Sequence, residues 1–112
     1  MKEFIKNFFK QNDEVEIEPV GDLIRKSITV GGRVQGVGFR FFTQGEAKKL
    51  KLTGWVKNLS NGDVTMEVQG AENIVEELIS RLKKGNGFSK VVKIETKNLE
   101  VKKEENKFVI AY

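Results

Sequence analysis

The sequence predicts an α+β sandwich: an antiparallel sheet with two helices on one face, in the order β-α-β-β-α-β, with a short C-terminal strand added. Three observations predict it. Apolar residues alternate at period two in several short segments, two segments between them carry apolar residues three and four apart, and Gly or Asn-Gly marks the joins. A chain of 112 residues suits one compact domain. It divides into an N-terminal extension, residues 1–25, expected to be a tail or short helix, and a folded domain, residues 26–112.

The first strand is expected over Ser27 to Val34, where Ile28, Val30 and Val34 share one parity. Gly36 and Gly38 then make a loop, and beyond Arg40 the spacing of Phe39, Thr43, Ala47 and Leu50 becomes helical, with Lys48, Lys49 and Lys51 toward solvent. Trp55 to Leu59 form the second strand, with Trp55 assigned to the core. Asn61-Gly62 suits a tight hairpin turn because both positions tolerate positive φ. In the third strand Val64, Met66 and Val68 alternate with Thr65, Glu67 and Gln69, and Gly70 ends it. Ile74, Leu78 and Leu82 stripe the second helix, with acidic residues at its start and Lys83, Lys84 and Gly85 at its end. Strand period resumes from Phe88 through Val92, Ile94 and Thr96. A charged connection from Glu100 to Lys107 then leads to a last strand on Phe108, Ile110 and Tyr112. This is the split βαβ arrangement of ferredoxin-like folds. Its first two strands run the same way, so the loop at Gln35 to Phe39 and the end of the second strand at Asn58 are expected on one edge of the sheet.

Composition removes much chemistry at once. The chain has no Cys and no His, which excludes thiolate nucleophiles, phosphohistidine intermediates, Ser-His-Asp triads and His-ligated metal sites. Lysines interrupt the apolar start, so no secretory or membrane-spanning segment is expected there and a cytoplasmic location is the default. Net charge is +4, and from Lys26 onward 16 basic side chains face 10 acidic ones, a balance that favours anionic ligands.

The candidate site lies at the shared edge. Gly36 and Gly38 let successive backbone amides turn inward around an anion, just ahead of a helix whose N-terminus carries partial positive charge. Arg40 adds a planar fork able to grip two phosphate oxygens. By themselves these features are also those of an ordinary tight turn before a helix, and Asn58 by itself is a turn-proximal asparagine.

Read together, the residues resemble a known family. GRVQGVGFR (Gly32 to Arg40) is similar to the first signature of the acylphosphatases and GWVKNLSNGDVTMEVQG (Gly54 to Gly70) to the second, within a stretch of about 40 residues. The wider resemblance runs from about Lys26 to Tyr112. It implies hydrolysis of the carboxyl-phosphate bond of a small acyl phosphate, without cofactor or metal. Arg40 and the amides of Gln35, Gly36, Val37, Gly38, Phe39 and Arg40 would hold the phosphate, and the Asn58 carboxamide would orient the attacking water. A chain without His or Cys must work by positioning and charge stabilisation, which an activated acyl phosphate permits. Asn is neither acid nor base, so the water proton is expected to pass to the substrate's own phosphate. Phe41 and Phe42 are candidates for lining the acyl side.

Three other readings follow from the same residues. One is a domain that handles carbamoyl phosphate within a larger maturation carbamoyltransferase, against which the chain length stands. A second is a member that only binds phosphate. The third, an RRM-like nucleic-acid module, shares the element order. It is opposed by a third strand that exposes Thr65, Glu67 and Gln69 rather than aromatics. The expected state is a monomer with no nucleic-acid or membrane partner.

Overall fold

The computed structural model describes residues 17–112. Five strands form one sheet: β1 (Leu23–Arg33), β2 (Thr53–Asn58), β3 (Val64–Ala71), β4 (Lys90–Leu99) and β5 (Phe108–Ile110), in spatial order β4-β1-β3-β2-β5. Two helices, α1 (Phe39–Lys49) and α2 (Glu72–Lys84), complete the expected order. The sheet is mixed. β1 and β2 are both antiparallel to the β3 between them, hence parallel to each other, and β5 is parallel to β2.

Parity builds the core. Ile28 and Val30 of β1, Val56 of β2 and Val64, Met66 and Val68 of β3 share one face of the sheet, where they are buried with Phe39 and Ala47 of α1 and Ile74, Leu78 and Leu82 of α2. Each such side chain contributes roughly 1.5–3 kcal/mol by leaving water. Trp55 lies on the opposite face, which corrects its assignment to the core. Its neighbours Gly54 and Val56 hold the inward positions, so Trp55 is half-buried across from Glu67. Gly54 is required where it stands: at φ 142° any Cβ would collide with the Glu67 carbonyl.

The ends of the elements differ from the sequence pattern where backbone pairing outruns side-chain alternation. β1 begins at Leu23, within the segment assigned to the extension, because its polar residues Arg25 and Lys26 still pair with β3 and β4. β3 continues through Gly70 to Ala71, β4 begins only at Lys90, and β5 stops at Ile110, leaving Tyr112 exposed. Residues 18–22 seal the start of α2. Glu72 N donates to Asp22 O (3.1 Å), and the Asn73 side chain accepts from Val20 N and donates to Glu18 O, both at 2.7 Å. The part of the extension expected as a tail or short helix over residues 1–16 lies outside the described residues.

The outer face carries a buried cation. Arg25, 1% exposed, forms two bonds with the Glu105 carboxylate (2.7 and 3.1 Å), a third with Glu67 (3.0 Å) and a fourth with Gln69 Oε1 (3.1 Å). Gln69 also exchanges bonds with the Lys102 backbone at 2.8 Å in each direction. The charged connection between β4 and β5 is thereby bound across the sheet, and it delivers β5 to β2.

The Arg25 guanidinium holds the Glu105 carboxyl below the usual carboxylate range, against the opposing effect of burial. A carboxyl depressed in the folded state contributes its stability above its unfolded pKa and loses it as pH falls through the folded value. Urea unfolding between about pH 6 and about pH 2 should therefore show an acid-dependent loss that is smaller in Glu105→Gln. Arg25→Ala, which strands a partly buried carboxylate, should cost about 3 kcal/mol near neutral pH by the same measurement.

Candidate active site

Val34 and Phe39, both buried, pin the two ends of the loop between β1 and α1. Between them Gly36 (φ 75°) and Gly38 (φ 78°) alternate with Val37, which has negative φ, a sequence of signs that turns successive amides toward a common side. Among the described residues none of the backbone amides from Gln35 to Arg40 donates a hydrogen bond to the protein. Gly36 and Gly38 are exposed, so these donors are open to water or to a ligand that approaches the loop.

The start of α1 adds positive potential. Gly38 is its N-cap, no side chain caps it and no acidic residue stands in its first turn. α2 is treated in the opposite way, with Glu72 in its first turn and residues 18–22 bonded to its end. Arg40 is the second residue of α1, where a cation opposes the helix dipole unless an anion joins it. It makes no ion pair with any described carboxylate, and its guanidinium lies 5.1 Å from the centre of the Tyr112 ring.

Asn58 ends β2, the last residue paired with β3. It is half-buried, and its Oδ1 is a buried oxygen that accepts no hydrogen bond. The loop is tied to this strand end by Gln35, whose Nε2 donates to Leu59 O (2.7 Å) and Asp63 O (2.8 Å). The turn beyond Asn58 closes through Leu59 N to Asp63 O at 2.8 Å, with Asp63 N donating to Asn61 Oδ1 at 3.0 Å. β5 completes the edge: Ala111 N donates to Val56 O (2.8 Å), carrying Tyr112 along β2 toward Arg40.

The family is decided by comparison. A family model described as acylphosphatase matches residues 26–110. The chain belongs to the acylphosphatase family. An acylphosphatase of Clostridium beijerinckii is 58% identical over 90 residues, covering 80% of this chain and 100% of that protein. The crystal structure of the acylphosphatase from Bacillus subtilis superposes with a TM-score of 0.76 at 43% identity, covering 80% of this chain and 99% of that one. The full-length HypF structure, described as its phosphate- and nucleotide-bound form, matches at 32% identity and TM-score 0.71, covering 86% of this chain and 13% of that one. The chain is a hydrolase of this family on a ferredoxin-like α+β fold.

Several residues in and around the candidate site differ from what the sequence alone suggests. Gln35, expected to contribute mainly its amide, uses its side chain to hold two carbonyls of the turn between β2 and β3, 24 and 28 residues further along the chain. Phe42 packs on Phe39 with ring centres 5.9 Å apart, whereas Phe41 is 71% exposed beside Arg40. Asn86, which the sequence reading does not single out, donates to Val37 O within the loop. The only local sign of it is a polar residue between two glycines, the signature of any turn.

Gln35→Glu would replace a double donor by a carboxylate facing two carbonyl oxygens. It should lower stability by about 2 kcal/mol in urea unfolding, more than Gln35→Ala, and weaken inorganic phosphate binding measured by calorimetry.

Proposed function

We propose that the loop from Gln35 to Arg40 binds the phosphoryl group of a small acyl phosphate and that Asn58 orients the water that hydrolyses it. The observation that carries this reading is the row of backbone donors that find no acceptor among the described residues, placed ahead of an Arg that no described carboxylate neutralises. Such a cradle meets the oxygens of a phosphate with dipoles already pointed at them, so little reorganisation is needed as charge develops.

Asn58 supplies the complementary group. Its buried Oδ1 has no donor among the described residues, which suits it to accept a hydrogen bond from the attacking water and aim that water's lone pair at phosphorus. The water oxygen bonds to phosphorus, the bond from phosphorus to the acyl oxygen breaks, and the carboxylate leaves with the bonding pair. One water proton stays on the attacking oxygen and the other passes to an oxygen of the substrate's own phosphoryl group, giving dihydrogen phosphate. Arg40 and the loop amides offset the charge on the equatorial oxygens during this exchange. The reading takes the enzyme as a cytoplasmic monomer that needs no cofactor or metal, with residues 26–112 as its functional domain.

Purified chain should turn over benzoyl phosphate with EDTA present, whereas Arg40→Ala and Asn58→Ala should each lose at least ~10²- to 10³-fold in kcat while keeping the wild-type unfolding midpoint. Wild-type activity abolished by EDTA would sink the metal-free mechanism. Phosphate binding without turnover would instead support a binding-only role.

A further inference from the structure

The loop is held from two sides, and the second hold lies outside both family signatures. Asn86 stands in the turn between α2 and β4, 49 residues beyond Val37, and donates from Nδ2 to Val37 O at 2.8 Å. Its Oδ1 accepts from Phe88 N and Ser89 N, each at 3.0 Å, and its own N–H donates to Ser89 Oγ at 3.3 Å. With two amides bound to the oxygen, the carboxamide cannot rotate, so its NH₂ group is committed to the loop.

That commitment has a consequence for the anion site. In a trans peptide the carbonyl and the following N–H point in opposite directions, and no peptide bond here is cis. Drawing the Val37 carbonyl toward Asn86 therefore turns the Gly38 N–H the other way. Gly38 N–H is one of the unpartnered donors, and its residue is also the N-cap of α1, so the orientation of this one peptide sets both the centre of the cradle and the first turn that carries Arg40. If the Val37 carbonyl were loose, that peptide could flip and present an oxygen to the phosphate.

We propose that Asn86 is a positioning residue of the phosphate site: its side-chain amide locks the Val37–Gly38 peptide with the Gly38 N–H directed into the loop. The proposal rests on the reading of Gln35 to Arg40 as the phosphate-binding segment. Asn86 touches no reacting atom and acts only through this peptide.

Two variants test it. Asn86→Ser and Asn86→Asp both keep an oxygen able to accept from the Phe88 and Ser89 amides; the Asp carboxylate has no donor, and the Ser hydroxyl, one bond shorter than Nδ2, falls short of Val37 O. One is neutral and the other charged, so an effect shared by both is not one of charge. Inorganic phosphate is titrated into 15N-labelled wild type and variants while the Gly36 and Gly38 amide signals and the thermal unfolding midpoint are followed. The expected result is a phosphate Kd raised about tenfold in both variants, a Gly38 shift on binding that is reduced relative to Gly36, and little change in midpoint. If phosphate moves these amides in wild type and both variants bind within twofold of it, the lock is refuted and the loop reading stands. If phosphate leaves the Gly36 and Gly38 amides of the wild type unmoved, the loop reading fails and takes the lock with it.

Discussion

A peptide unit that aims its N–H at a bound anion must send a carbonyl the other way, and that outward carbonyl needs a partner of its own. Much of the architecture around the loop from Gln35 to Arg40 answers this requirement. Asn86 receives the Val37 carbonyl, and Phe42 N receives the Gly38 carbonyl as the first bond of α1. Gln35 serves the neighbouring turn in the same way, giving the Leu59 and Asp63 carbonyls a donor and so fixing the loop against the end of β2. The Val37 and Gly38 carbonyls thus find donors within the protein, whereas among the described residues the loop amides find no acceptor.

The same division appears in the two helices. α2 is closed at its start by residues 18–22 and by Glu72, and its C-terminal turn carries Arg81, Lys83 and Lys84, as its dipole prefers. α1 is left open at its start and has a cation there. Stability argues for the α2 arrangement, so the α1 arrangement is a local cost that a bound anion would offset on the proposed reading, and it falls where the family signature lies.

Support for the site also reaches it from the far face of the sheet. Arg25 binds the connection between β4 and β5 through Glu105 and Gln69. Lys107 O then accepts from Gly54 N, and Gln44 Nε2 donates to Phe108 O, placing β5 between β2 and α1. Two residues past the strand's end, the Tyr112 ring lies under the Arg40 guanidinium. A buried charge pair is a weak source of net stability, since desolvation offsets most of its attraction. Here it serves to choose one path for a polar connection that no apolar pattern directs.

The sequence by itself determined the order of elements, the inward parity of β1 and β3, the amphipathic face of α2 and the family signatures. Each of these is written in residues close together in the chain: alternation at two, spacing at three and four, and glycines where φ turns positive. Gly36, Gly38, Arg40 and Asn58 were singled out through those signatures. Only the tertiary structure decided that Trp55 faces outward, that Arg25 is buried, that β1 begins early at Leu23, and that Gln35 and Asn86 grip carbonyls distant in the chain. Those outcomes depend on which backbone groups meet after the strands have paired. A single polar side chain carries no periodicity that could announce its partner in advance.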